Sequence, residues 1–141
     1  MDDLDRELLD LLRKNAREPT ASLARKLGLA RSTVQERIAR LERNGVIKGY
    51  TVALDPHAFE QRIRAIVMIS TEPKQAERAV VELKRLEGLR SLVAVSGSYD
   101  LVATVESDTP ALMDALLDRI GNIRGIARTV TSIVLSEKMQ R

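Results

Sequence analysis

The 141-residue chain has no cysteine and no tryptophan, and it carries one histidine, His57, and one phenylalanine, Phe59. Without cysteine there is no disulfide framework and no thiolate to ligate a metal or attack a substrate, and a lone histidine does not by itself build a histidine-rich metal cluster. One Phe and two Tyr leave no row of rings on which exposed bases could stack, which argues against a platform for single-stranded nucleic acid. No apolar run approaches the ~18–20 residues that cross a bilayer. Met1-Asp2-Asp3 stands where a signal peptide carries a positive flank and an apolar stretch, so the cytoplasm is the expected location, with no membrane partner. No catalytic residue, metal or cofactor is expected.

What is present is 44% apolar and 30% charged residues, the mixture of a globular chain. The charge is unevenly spread. Residues 1–54 hold eleven Lys/Arg against eight Asp/Glu, and residues 55–141 hold twelve of each, so the whole net charge of +3 belongs to the first part. Within that part, residues 2–10 have Arg6 against five acids, while residues 13–48 have ten bases against Glu18, Glu36 and Glu42. That local excess of seven positive charges is the footprint expected of a surface that meets a polyanion, with a merely solvated charged surface as the competing reading.

Leu4, Leu8, Leu11 and Leu12 recur at helical spacing behind Asp2 or Asp3 as an N-cap, which predicts a helix over about 3–15. Thr20 is the expected cap of a second helix over about 21–27, with Leu23, Ala24 and Leu27 on its apolar face and Gly28 as its left-handed end. A third segment from about 31 to Asn44-Gly45 places Val34, Ile38 and Leu41 in one arc. Two short helices joined through a glycine turn make a helix-turn-helix. In the ordinary docking of that motif the first turns of the second helix meet base edges and basic residues further along reach phosphates. Arg31, Ser32, Thr33, Gln35 and Glu36 are therefore the base-edge candidates, and Arg37, Arg40 and Arg43 the phosphate candidates.

The β-branched run over Val46–Leu54 predicts a strand or short wing after the third helix, and Asp55-Pro56 ends it. Residues 55–63, which include His57, read as a linker. The remainder, 64–141, alternates: a strand at 64–71, a helix from Lys74 to Glu87 on Ala76, Val80, Leu83 and Leu86 closed by Gly88, and a strand at about 89–96. The turn Gly97-Ser98-Tyr99-Asp100 follows, then a strand at about 101–106, a helix at about 109–120 on Leu112, Leu116 and Ile120, and a strand at about 126–135. The expected class is therefore α+β, an N-terminal winged helix-turn-helix (1–54) followed by a ferredoxin-like βαββαβ domain (64–141). Ile66 and Met68 alternate with Ala65, Val67 and Ile69, and Ile126, Val130 and Val134 alternate with Ala127, Ile133 and Leu135, so both faces of the sheet read as apolar. Two helices cover one face, and a second copy of the chain is the simplest cover for the other, which predicts a homodimer with two recognition helices.

Several short motifs carry a resemblance. Leu4-Asp5 with Leu8 and Leu11-Leu12, Asn15-Ala16-Arg17, Leu23-Ala24, Gly28-Leu29, Val34 with Arg37-Ile38, Leu41-Glu42, Gly45-Val46-Ile47 and Leu54-Asp55-Pro56 stand in order and spacing. So do Val95-Ser96-Gly97-Ser98-Tyr99-Asp100-Leu101 and Thr129-Val130-Thr131-Ser132-Ile133-Val134-Leu135. With these the chain resembles the Lrp/AsnC (leucine-responsive, feast/famine) transcriptional regulators over nearly its whole length. The resemblance implies double-stranded DNA as a partner at the nucleoid, dimers made through the C-terminal sheets that assemble into tetramers or octamers, and an amino acid or related small molecule as effector in clefts between dimers. It also implies effector-binding residues at Gly97, Ser98, Tyr99 and Asp100, with Thr131 and Ser132 of the second segment. Gly97 suits a close backbone approach and Asp100 offers a carboxylate to an amino group, though the same pair also suits a plain hairpin turn. Siroheme decarboxylases resemble the same architecture, so an enzyme is one alternative, for which only His57 is available; an architectural DNA-binding protein without effector is the other.

Overall fold

A computed structural model of the chain describes residues 1–55, 58 and 62–141, which fall into two compact units, Met1–Leu54 and Asp55–Arg141. The first unit is three helices, α1 (Asp3–Lys14), α2 (Thr20–Leu27) and α3 (Arg31–Arg43). Asp2 caps α1 in a reciprocal box with Asp5: the Asp5 N–H donates to Asp2 Oδ1 at 2.8 Å, and the Asp2 N–H donates to Asp5 Oδ2 at 3.2 Å. The expected cap at Thr20 is not there. Thr20 lies inside α2, Pro19 holds the cap position, and Glu18 reaches forward to accept from the Ser22 hydroxyl at 2.6 Å and to pair with Lys26. Gly28, at φ 66°, ends the helix, and Ala30 enters α3 without a side-chain cap. Leu8, Leu12, Leu23, Ala24, Val34 and Leu41 close over one another as the core of this unit.

No strand forms over 46–54, so the expected wing is absent. The Val46 and Ile47 amides donate to Leu41 O at the end of α3, and the Tyr50 hydroxyl donates to Glu42 Oε1 at 2.8 Å. A β-branched run has the propensity for a strand, but a ladder needs a neighbouring edge, and this unit offers none. The middle of the expected 55–63 linker, with His57, lies outside the described residues; Ile63 already belongs to the sheet.

The second unit runs β1 (Ile63–Thr71), a short 3₁₀ turn (Pro73–Gln75), α4 (Ala76–Lys84), β2 (Leu89–Ala94), β3 (Leu101–Ser107), α5 (Pro110–Gly121) and β4 (Ile126–Ile133). The strands form one antiparallel sheet in the order β2-β3-β1-β4, which is the βαββαβ arrangement. Ala65, Val67, Ile69, Ala103 and Val105 face the helices and are fully buried with Leu83, Met113 and Ile120.

Four local expectations are corrected. The first helix of this unit is shorter than 74–87 and buries Ala79 and Leu83. Gly88 does not act as its left-handed end; it allows close approach, because a Cβ there would collide with Leu116 Cδ2 and stand 2.9 Å from Glu106 O. In α5 the buried stripe is Met113, Leu116 and Ile120, and Leu112 is 54% exposed. Finally, the β1–β4 register shifts between Ser70 and Thr71, which pair with Arg128 and Ile126. Ala127 is the extra residue of this bulge, so Ile126 packs on the helix side while Val130, opposite Met68, lies on the other face.

Candidate functional site

The first candidate site is the outer face of α3. Burying Val34 and Leu41 fixes the rotation of the helix, and at about 100° per residue this turns Arg31, Ser32, Thr33, Gln35, Glu36, Arg40 and Arg43 outward, all of them exposed. Arg31 also borders a shallow depression with Arg25 where α2 turns into α3.

Arg37 sits differently from its neighbours. Its side chain is only 17% exposed, and its Nη1 donates to Asp2 Oδ1 and Oδ2 at 2.9 and 2.7 Å and to Asp5 Oδ1 at 2.8 Å. Arg40 gives Nη2 to both oxygens of Asp5, each at 3.2 Å, and Arg43 pairs with Glu36 at 2.9 Å on the surface. Asp5 is 1% exposed and, among the described residues, is the one charged side chain in a core. From sequence Asp2 is expected only as a cap and Asp5 only as one of the acids near the start of α1. No local pattern could show that the carboxylates which close the first turn of α1 also receive arginines more than thirty positions away.

The second candidate site is the loop between β2 and β3. Gly97 adopts φ 120°, a conformation that L side chains rarely take. Asp100 ties the loop to the end of β1: its N–H donates to Ile69 O at 2.9 Å, its carbonyl accepts from the Val95 N–H at 3.0 Å, and its Oδ2 accepts from the Thr71 N–H at 2.7 Å and the Thr71 hydroxyl at 3.3 Å. Tyr99 has the Arg128 guanidinium 5.0 Å from its ring centroid. Gly97, Ser98 and Asp100 are exposed. Thr131 and Ser132 pair with Val67 and Ile66, further down β1 from Ile69 and Thr71, and as successive strand residues they point to opposite faces. One chain therefore brings Gly97, Ser98, Tyr99 and Asp100 together with Thr71 and Arg128, and does not gather Thr131 and Ser132 with them.

The charges below α3 set an acid limit on stability. The Asp2 carboxyl is held below the ordinary aspartate value of 3.8, first by the Arg37 hydrogen bond and then by the Asp5 N–H. For Asp5 burial is the largest influence and opposes the charge, yet the bonds from Arg37 and the Asp2 amide prevail and its value is also lowered. Hydrogen bonds from Lys26 and Ser22 lower Glu18 in the same way. A carboxyl whose folded value lies below its unfolded one contributes stability that is complete above the unfolded value and is lost as pH falls through the folded one. Thermal melts should therefore hold their midpoint around neutrality and fall as the pH drops below 3.8. Asp5→Asn should melt lower than the parent at neutral pH, with the gap closing towards acid; a gap that is constant with pH would contradict the assignment.

Comparison with known proteins covers both units. Residues 1–42 match the AsnC-type helix-turn-helix domain, and residues 64–141 match the Lrp/AsnC ligand binding domain. The chain is 30% identical over 135 residues to the HTH-type transcriptional regulator FL11 of Pyrococcus furiosus, covering 96% of this chain and 89% of that one. It is 32% identical over 136 residues to the HTH-type transcriptional regulator LysM of Sulfurisphaera tokodaii, covering 96% and 95%. The solved structure of E. coli AsnC superposes with a TM-score of 0.85 at 27% identity, covering 100% of this chain and 96% of that one. A helix-turn-helix with an arginine-bearing outer face, joined in one chain to a ligand-binding βαββαβ unit and matched over both parts, places this protein in the Lrp/AsnC family of transcriptional regulators.

Proposed function

We propose that the chain is a sequence-specific regulator that binds double-stranded DNA as a homodimer or a larger assembly and responds to an amino acid. The observation that carries the DNA reading is the outward face of α3. Arg31, Ser32, Thr33, Gln35 and Glu36 stand in its first two turns as base-edge contacts, and Arg40 and Arg43 follow as phosphate contacts. Arg37, the third expected phosphate contact, is assigned to holding α1 against α3, since its Nη1 is already committed to carboxylates. The Arg43–Glu36 pair is exposed on both sides, contributes little by itself and yields readily to a phosphate. No enzyme activity is proposed: the named relatives are transcriptional regulators.

Fluorescence anisotropy on promoter and random duplexes tests this reading. Affinity should fall steeply with salt. Arg40→Ala and Arg43→Ala should weaken binding to both duplexes alike, while Ser32→Ala and Gln35→Ala should cost about 1–3 kcal/mol of preference at particular bases. Equal losses from all four on both duplexes would overturn the sorting into base and phosphate contacts.

The dimer is supported by the face of the sheet that the helices do not cover. Ile66 is 40% exposed, Val130 46% and Val93 52%, and Met68, Val102 and Val130 lie on that same face of paired strands. A second copy of the same face is the self-complementary partner that a two-fold axis supplies. Val130→Asp should shift the full-length protein to a smaller species in sedimentation without loss of its strands in circular dichroism. An unchanged mass would place the interface elsewhere.

For the effector, Gly97, Ser98, Tyr99 and Asp100 are the proposed contacts. Asp100 is anchored through Oδ2 on Thr71, so its carboxylate is pre-positioned for an amino group instead of being swung in by the ligand. In Asp100→Asn the side-chain oxygen still accepts from the Thr71 N–H, so the fold should persist while a cationic amino group loses its charged partner. Calorimetry against the twenty amino acids should show the binding one weakened about tenfold by this change, the loss of one charge-assisted contact. Unchanged affinity would return Asp100 to the role of loop anchor.

A further inference from the structure

A carboxylate in a core is retained only where its partners are complete, and those of Asp5 are. Oδ1 takes Arg37 Nη1 and Arg40 Nη2, and Oδ2 takes Arg40 Nη2 and the Asp2 N–H. The two arginines are used unequally. Arg37 is nearly hidden and serves Asp2 as well, whereas the Arg40 side chain is 46% exposed and gives only Nη2 to the protein; its Nη1 and Nε have no protein acceptor among the described residues. An exposed arginine ordinarily gives up its rotamer freedom when it grips a phosphate, but one already held by part of its guanidinium has less to give up.

We infer that Asp5, beneath the recognition helix, is a positioning residue for DNA binding: by holding Nη2 of Arg40 it fixes that guanidinium on the outer face of α3 with Nη1 and Nε offered to a phosphate. The inference rests on the reading of Arg40 as a phosphate contact. It also fixes a sign. Asp5 carries negative charge close to a surface that meets a polyanion, so on long-range electrostatics alone its neutralisation would strengthen DNA binding. If Asp5 positions Arg40, neutralisation weakens it.

The test is anisotropy of the full-length protein on a fluorescein-labelled random duplex at fixed salt, below the melting range of every variant. Asp5→Asn should weaken binding about tenfold, the loss of one well-placed charge-assisted contact. In an Arg40→Ala background the same change should have less than about a twofold effect, since the residue it acts through is gone. Asp3→Asn removes the same charge from the same first turn of α1, where Asp3 is exposed and has Arg6 as its one ion-pair partner among the described residues, and should not weaken binding. Where Asp5→Asn fails to fold, Arg40→Lys decides: lysine keeps the charge on a single nitrogen, which the carboxylate would occupy, so binding should fall nearly to the level of Arg40→Ala. Asp5→Asn binding as tightly as the parent or more so, an equal loss with and without Arg40, or Arg40→Lys matching the parent would overturn the inference. Arg40→Ala binding like the parent would remove the phosphate reading and this inference with it, whereas a loss in Arg40→Ala without one in Asp5→Asn removes this inference alone.

Discussion

Two helices can cover one face of a four-stranded sheet and no more. In the C-terminal unit α4 and α5 bury Ala65, Val67, Ile69, Ala103 and Val105 completely, and the alternation of the same strands places Ile66, Met68, Val102 and Val130 on the face that has no such cover. Removing apolar surface from water is the largest favourable contribution to association, at roughly 25 cal/mol per Å², so the uncovered face is where the unit has most to gain from a second copy. The proposed dimer follows from that geometry, and with it the duplication of α3. A single short helix with a few base contacts is a weak reader of sequence, and two of them in one assembly suit a two-fold site. In the proposed dimer the sheet and the recognition helix are thus linked through symmetry.

How much of this could be read from sequence depends on whether the controlling interaction is local. Helix ends governed by neighbours in the chain were legible: Asp2 caps α1 and Gly28 stops α2. The βαββαβ order was legible too, since period-2 and period-3.6 patterns alternate along 64–141. In α5 the expected set Leu112, Leu116, Ile120 advances four residues each time and so drifts by about 40° per step, whereas Met113, Leu116, Ile120 uses the three-then-four spacing that holds a stripe on one side. The bulge at Ala127 belongs to the pairing of β4 with β1, and a pattern read along β4 alone keeps Ile126 and Val130 on one face. Val46–Leu54 is the clearest miss, because propensity speaks of the segment and a strand is a property of a pair.

The candidate sites divide along the same line. The outward set on α3 follows from helical rotation once Val34 and Leu41 are inside, and that was available from spacing. What each outward or half-hidden arginine does was not. Arg37, Arg40 and Arg43 are alike in composition and lie within seven positions, yet one is nearly buried on Asp2 and Asp5, one is half-held by Asp5, and one is in an exposed pair with Glu36. In the loop, Asp100 was expected to serve either a turn or a ligand, and it serves the end of β1 through Thr71, a partner twenty-nine positions away.

These pairings also change the meaning of the charge excess itself. Ten bases against three acids over residues 13–48 suggests a strongly positive surface, but the count leaves out Asp2 and Asp5, which fold back onto Arg37 and Arg40. Glu18 and Glu36 likewise occupy Lys26 and Arg43. What a polyanion meets is set by how easily each pair opens. The Arg43–Glu36 pair lies in water and costs little to exchange, while Arg37, if it moved, would take one of two guanidinium partners from a carboxylate in a core. Charge that is locked contributes to the fold and orients its neighbours, and charge that is loosely paired contributes to the counterion release that makes DNA binding salt-dependent. In the proposed DNA reading, the number of phosphates gripped is therefore smaller than the local excess of seven positive charges over residues 13–48 implies. It is weighted towards the exposed residues at the start and end of α3, with Arg40 between the two regimes because one part of its guanidinium belongs to each.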